Sequence, residues 1–332
     1  MKTTVIRLLL AFVLALAFGA SMAQSYPTKP IRFIVGFAPG GANDTLARLV
    51  GQRLTERLGQ PVIVENKPGA DSIIGTDYVA KAPPDGYTLL VSSVAMVLNP
   101  SLYDRVPYDA GRDFIPITLF ASDPVVFAVH PSIPAASIKE LISLAKSKPG
   151  QLFYSSGAPA FHVSAELFKR QAGINIVHVP YKGSGPAIAA AISAEVPMVA
   201  VEIPSALAQL RAGKLRALAI TGPRRSEVAP NIPTMAESGM ANFEQVLWIG
   251  LFAPAATPRT IIDRLYGELS VVLKTESMKE RLAAMGYETN DTGMTPAAFG
   301  AFFYTDLANW SKGIGTLALK RAQFKDSTAG SK

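Results

Sequence analysis

No cysteine occurs among the 332 residues. That removes thiol nucleophiles, thiolate metal sites and disulfide frameworks together. A chain of this length buries a large core without disulfides, so their lack is compatible with export. Histidine is nearly as scarce: His130, His162 and His178 are the complete set. They form neither His-x-x-x-His nor His-Glu-x-x-His, so the common zinc motifs are missing. A Gly-x-Ser-x-Gly nucleophile elbow is also missing, since Gly183-Ser184-Gly185 has the wrong spacing. No Gly-Lys-Ser/Thr follows a glycine turn, and Gly-x-Gly-x-x-Gly does not occur, so no nucleotide loop is indicated. Neither a catalytic residue set nor a cofactor nor a metal is expected. Charged residues are only 17% of the chain, and lysine and arginine are scattered rather than striped, which argues against nucleic acid. Beyond the first twenty residues the apolar runs are too short to span a membrane; residues 187–192 illustrate the limit.

What is present begins with an export signature. Lys2 and Arg7 precede an apolar stretch over residues 8–18, and Ser21-Met22-Ala23 offers small residues for cleavage after Ala23. An uncleaved anchor is the lesser alternative. The formal charge of +7 falls to +5 once Lys2 and Arg7 are removed, a mild bias toward anionic ligands.

The mature chain is organised around residues 31–50. Ile31-Arg32-Phe33-Ile34-Val35 has the β-branched and aromatic character of a buried strand. A tight turn follows at Phe37-Ala38-Pro39-Gly40-Gly41, and Asn43 or Asp44 is placed to cap a helix with Leu46, Leu49, Val50 and Leu54 at helical spacing. A strand, a glycine turn and an exposed helix N-terminus present free N–H groups and a favourable dipole to an anion. An ordinary strand-to-helix connection is the equal alternative.

Strand and helix patterns then alternate, which predicts mainly parallel sheets with helices on both faces. Strands are expected at residues 61–64, 87–91, 125–129, 152–154, 176–179, 196–202, 215–220 and 248–252, with residues 99–120 less regular. Two such sets around a central break suggest two lobes, crossed near residues 121–125 and 221–223, with the late strand and C-terminal helices returning to the first. Ligands in such sheets sit at the carboxyl ends of strands, so Ser92 faces the same region as Gly40 and Gly41.

Two more loops repeat the pattern of the first. Ser155, Ser156 and Gly157 precede a helix that carries His162 in its first turn, and Tyr181, Lys182 and Gly183 precede another. Donors from both lobes could close around a carboxylate. His162 either donates to a ligand or packs. Lys182 either adds a positive charge or is simply solvated. Asp44 and Glu202 either serve the local fold or receive a ligand ammonium or hydroxyl. His178, inside an apolar strand, is expected to be a bonded core residue.

At this point the sequence resembles a known family. Pro39-Gly40-Gly41-x-x-Asp44, Val64-Glu65-Asn66-Lys67-Pro68-Gly69-Ala70, Pro84-Asp85-Gly86-Tyr87-Thr88-Leu89-Leu90, His178-Val179-Pro180-Tyr181-Lys182-Gly183 and Pro233-Thr234-Met235-Ala236-Glu237-Ser238-Gly239 recur in order in the Bug-type extracytoplasmic solute receptors of tripartite tricarboxylate transporters. The resemblance covers nearly the whole mature chain. It implies an α/β, type II periplasmic-binding-protein fold: a signal peptide at 1–23, a discontinuous first lobe at 24–122 and 223–332, and a second lobe at 123–222. It implies a monomeric periplasmic protein, not an enzyme, that captures a small carboxylate for membrane transporter subunits. An exported sensor without a transport role, and less so an exported enzyme, are the alternatives. The implied ligand positions are Phe37, Ala38, Pro39, Gly40, Gly41, Asn43 and Asp44 in the first lobe and Ser155, Ser156, Gly157, His162, Tyr181, Lys182 and Gly183 in the second; Ser92 and Glu202 join them from strand ends. Three places depart from the family pattern: Gly69-Ala70-Asp71-Ser72, the loop 156–162, and Glu202 where aspartate is usual.

Overall fold

The computed structural model describes residues 26–316, with side chains through Lys312. The expected signal peptide, its cleavage after Ala23 and the polar tail lie outside the described residues. Among those described, no helix is long and apolar enough to cross a membrane.

The chain opens as its sequence predicts. Strand β1 (Ile31–Val35) leads through the glycine turn into helix α1 (Ala42–Leu58). Strand β2 (Val62–Asn66), helix α2 (Ile73–Ala80), strand β3 (Thr88–Ser93) and helix α3 (Ala95–Leu102) follow. Strands β1 and β2 pair in parallel, with Val35 opposite Asn66, and β1 also pairs in parallel with β3. Leu46, Val50 and Leu54 of α1 are fully buried with Phe33 and Val35 of β1. Each such side chain contributes about 2 kcal/mol by leaving water.

Strand β4 (Phe114–Val129) is the element the sequence conceals. It begins well before the expected Val125, inside the stretch that was predicted to be irregular. Pro116 and Pro124 interrupt its pattern, and the ladder shifts register between Pro116 and Thr118, where the missing N–H is absorbed. The first part of β4 pairs antiparallel with β9 (Val246–Pro254), as far as Pro124 opposite Val246. From Val125 its partners change: β7 (Met198–Glu202) begins with Val125 opposite Glu202, and β8 (Arg216–Ile220) pairs on the other side. One strand therefore belongs to two groups of strands.

In the second group, β5 (Phe153–Ser156) pairs in parallel with β6 (Val177–Pro180) and with β7. Helices α4 (Ile138–Ser147), α5 (Pro159–Ala172), α6 (Ser184–Ile192) and α7 (Ile203–Arg211) cover its two faces. The expected cap Ser137 accepts a bond from the Glu140 N–H at 3.2 Å. Parallel pairs form the body of each group and antiparallel β9, β4 and β8 finish it, so the sheets are mixed.

Thr221 closes the second group: its Oγ1 accepts from Val125 N–H at 3.0 Å and donates to the Gln245 carbonyl at 2.7 Å. Residues 223–245 stay on that side, with Met235 N–H bonded to the Ile220 carbonyl and Val228 and Ile232 against the α6–α7 face. After β9 come α8 (Arg259–Leu273), α9 (Glu276–Ala284) and α10 (Pro296–Thr316), which return to the first group. Phe299 and Phe303 of α10 pack on Trp248 and Phe252 of β9.

Candidate functional site

Strand register sets the site. Ser93 at the end of β3 is opposite Ile249, and Ile249 is opposite Ala121 of β4. Glu202 at the end of β7 is opposite Val125. The carboxyl ends of both strand groups therefore converge on residues 121–125, where β4 passes from one group to the other. The loops that leave β1 and β3 rise on one side of this crossing; those that leave β5, β6 and β7 rise on the other.

On the first side, Ala38, Pro39, Gly40 and Gly41 are exposed and Phe37 is half-buried. The N-cap of α1 is Gly41, in an extended conformation without a side-chain cap, so neither Asn43 nor Asp44 takes the expected capping role. The N–H groups of Ala42, Asn43 and Asp44 meet no acceptor among the described residues. This is the uncapped helix start that favours an anion. Gly40 has φ +85°, a conformation glycine adopts without strain.

Asp44 holds this loop from below. Buried at 3% exposure, it accepts from the Gly40 N–H at 2.9 Å, from Arg48 Nε at 3.0 Å and from Asn66 Nδ2 at 2.9 Å. Asn66 Nδ2 also donates to the Phe37 carbonyl at 3.0 Å. Burial works against the Asp44 charge, yet the bonds from Arg48, Gly40 and Asn66 outweigh it and keep its pKa below the usual carboxylate range. The Asp44 carboxylate is thus spent on the loop. Asn43 is different: its Oδ1 is buried and has no partner among the described residues, as is true of the Ser92 Oγ at the end of β3.

On the second side, the β5 and β6 loops are locked together. Tyr181 N–H bonds the Ser156 carbonyl at 3.0 Å and Gly183 N–H bonds the Gly157 carbonyl at 3.1 Å. A Cβ on Gly157 would lie 2.1 Å from the Gly183 carbonyl carbon, so only glycine permits this approach. Gly183, at φ +105°, is the N-cap of α6, again without a side-chain cap. Glu202 accepts from the hydroxyls of Ser184, at 2.8 Å, and Ser205. Burial raises its pKa and the two serine bonds partly offset the rise. Lys182 is exposed.

Two expected contacts turn inward. Ser155 is fully buried and its Oγ lies 2.9 Å from the Ala187 carbonyl and 3.2 Å from that of Met198, which ties β5 to α6 and β7. His162 is 7% exposed, lies 2.8 Å from the Tyr154 hydroxyl and stacks on His178 with centroids 3.9 Å apart. His178 Nε2 in turn lies 2.8 Å from the Ser156 Oγ. Tyr154 donates to Glu166 at 2.9 Å, and Lys169 pairs with Glu166 at 2.7 Å. Burial lowers the His162 pKa to about 4, helped by Lys169, and that of His178 to about 3, helped by His162. The pair is a neutral, packed support under the Ser156–Gly157 loop. Arg48, Asn66 and Ser184 carry positions that loop patterns alone did not single out; Asn66, opposite Val35 at a strand end, held the usable signal. Among the described residues no cluster of histidine and carboxylate side chains is placed to hold a metal ion.

The family model for the tripartite tricarboxylate transporter family receptor matches residues 46–299. The chain belongs to this family. It is a receptor family, and its member here is a binding protein rather than an enzyme. Among curated relatives, Protein BugT of Bordetella pertussis is 36% identical over 293 residues, 87% of this chain and 89% of the relative. Among solved structures, that of a periplasmic transporter is 40% identical with a TM-score of 0.78, over 90% of this chain and all of the other. Rpa4515 of R. palustris with adipate is 34% identical with a TM-score of 0.77, over 88% of this receptor and 98% of the other chain. MatC (Rpa3494) from Rhodopseudomonas palustris with bound malate is 29% identical with a TM-score of 0.75, over 87% of this receptor and 100% of the other. These similarities establish the α/β periplasmic-binding-protein fold.

Proposed function

We propose that this receptor captures a small carboxylate in the periplasm and delivers it to the membrane subunits of a tripartite tricarboxylate transporter. The observation that carries the reading is the pair of uncapped helix starts, α1 at Gly41 and α6 at Gly183, on either side of the β4 crossing. Each presents backbone N–H groups on a loop already fixed by its own bonds, so ligand binding need not order them. The adipate and malate bound by relatives support a diacid-sized ligand. The export signature supports a mature chain that starts near Gln24. The two lobes divide where β4 changes partners, near residues 121–125, and cross again near residues 221–223. The carboxylate contacts are the N–H groups that the 37–44 loop leaves unbonded at the start of α1, those of Ala42, Asn43 and Asp44, and those that the 155–157 and 181–183 loops leave unbonded at the start of α6, those of Ser184 and Gly185. Asp44, Ser155 and His162 act on the ligand through those loops, and Asn43 Oδ1 and Ser92 Oγ lie buried beside them with no partner among the described residues. Closure of the lobes over the anion creates the form the transporter recognises.

A thermal-shift screen of the chain from Gln24 against mono-, di- and tricarboxylates, amino acids and neutral sugars tests this. A ligand at a hundredfold excess over its Kd adds about 2.7 kcal/mol, which raises the midpoint by roughly 5 °C. A selective rise with one carboxylate class is expected. A rise with sugars or cationic amines and none with carboxylates would overturn the proposal.

A further inference from the structure

The loop between β2 and α2 departs from the family pattern at Gly69-Ala70-Asp71-Ser72, and its backbone is strained there. Ala70, Asp71 and Ser72 have φ of +47°, +51° and +74°, three consecutive non-glycine residues in the left-handed region, which L side chains enter only at a cost. Neighbouring structure holds the turn. Asn99 Nδ2 of α3 donates to the Asp71 carbonyl at 2.8 Å. Ser72 presses so closely on Gly36, at the end of β1, that a Cβ there would lie 2.0 Å from the Ser72 Oγ. The turn therefore stands beside the 37–44 loop, on the first-lobe side of the site, at the carboxyl ends of β1 and β2. The side chain it carries is a carboxylate without a counter-charge. Asp71 is half-buried, and its carboxylate has no hydrogen bond or ion pair among the described residues. Burial raises its pKa to about 6, and nothing opposes the rise. The polar groups around it serve other atoms. Asn99 gives its amide to the Asp71 backbone and to Tyr108, and the Tyr103 hydroxyl, which feels the Asp71 charge, is buried and bonds nothing among the described residues. Other carboxylates of this lobe are neutralised, Asp44 by Arg48 and Glu268 by Arg57 and Arg264. Nor does the floor of the site supply a cation: the charges that act on Asp123, at the β4 crossing, are those of Glu202 and Glu288.

We propose that Asp71 receives an ammonium group of the ligand, so that the solute is an amino-carboxylate. Its carboxylate lies at the uncapped helix starts and its ammonium against Asp71 on the first-lobe wall. This inference rests on the carboxylate reading above and adds the second charge. An ammonium supplies both the donor and the counter-charge that Asp71 lacks. A plain diacid brings a second anion toward a carboxylate that is already poorly solvated. Selectivity therefore comes from repulsion of the wrong solute as well as attraction of the right one.

The test is calorimetric titration of the mature protein with acids in matched pairs, with and without an ammonium: glutamate and glutarate, aspartate and succinate, 4-aminobutyrate and butyrate, phenylalanine and 3-phenylpropionate. At least one ammonium-bearing acid should saturate a single site per chain and bind about thirtyfold tighter than its partner, as for a desolvated charge pair. Asp71→Asn keeps the shape of the side chain and tolerates the left-handed backbone. It should abolish this preference and leave the affinity for the ammonium-free acid unchanged or higher. Its urea midpoint should not fall below that of wild type, since the carboxylate gives up no bond within the chain. Equal or tighter binding of the ammonium-free acid in every pair, or a preference that survives Asp71→Asn, would overturn this inference and leave the carboxylate reading standing. Binding by neither class would remove both.

Discussion

Asp44→Ala separates a carboxylate that shapes the glycine loop from one that touches the ligand. The wild-type group makes three kinds of bond, and each has its own weight. The bond from Asn66 Nδ2, at 2.9 Å in a buried setting, is worth about 1 kcal/mol, and the bond from the Gly40 N–H to a charged acceptor about as much. The Arg48 contact, with its side chain 52% exposed, adds roughly 0.5 kcal/mol. Truncation leaves Asn66 its second partner, the Phe37 carbonyl, so the amide is not orphaned. The sum is about 2–3 kcal/mol of folding stability, or a fall in Tm of roughly 5 °C. Carboxylate affinity should drop about tenfold as well, because the N–H groups of the 37–44 loop lose their fixed aim. Urea unfolding of the free protein and calorimetry of its best carboxylate are the two assays. Asp44→Asn, which keeps one acceptor, should fall between. The reasoning fails if Asp44→Ala leaves the free protein as stable as wild type while ligand affinity collapses, since that pattern belongs to a direct contact.

Gly157→Ala should cost at least about 2 kcal/mol by urea unfolding, because its Cβ would enter the Gly183 backbone at 2.1 Å and push the two loops apart. His162 and His178 are neutral in the fold, with pKa values lowered to about 4 and about 3. The stability they allow is complete above their unfolded value near 6.5 and is lost as pH falls toward 4; His178→Gln should flatten that part of a pH–stability curve. Asp306 has the opposite sign. Its folded pKa of about 7 means the native state holds a proton that the unfolded chain releases near pH 4, so its contribution declines as pH rises from 4 to 7, and Asp306→Asn should remove that decline in urea midpoints measured at pH 5 and pH 8.

Much of this was legible from residue pattern. The unit of β1, glycine turn and α1 carries its own punctuation, a β-branched run, a Pro-Gly-Gly turn and a 3.6-residue apolar period, and it formed with bounds close to those expected. The cap at Ser137 was equally readable. Strand β4 was not, since Pro116 and Pro124 are strand breakers on any local rule, and it takes the long ladder with β9 to carry them. Helix α3 was hidden for a related reason, with Pro100 inside it. At the site, the loops were legible and the side chains less so. Ser155 and Ser156 are adjacent small polar residues on a strand buried on both faces, so period alone could not say that one would bond α6 and the other His178. Nor could spacing show that Asp44 would turn away toward Asn66, because that bond depends on β2 lying beside β1.

The most direct test of the central claim is small-angle scattering of the mature protein with and without its best carboxylate. Closure of two lobes about the β4 crossing predicts a smaller radius of gyration at saturation, and predicts that Gly41→Val abolishes the contraction. Saturable carboxylate binding with an unchanged radius of gyration would contradict the account.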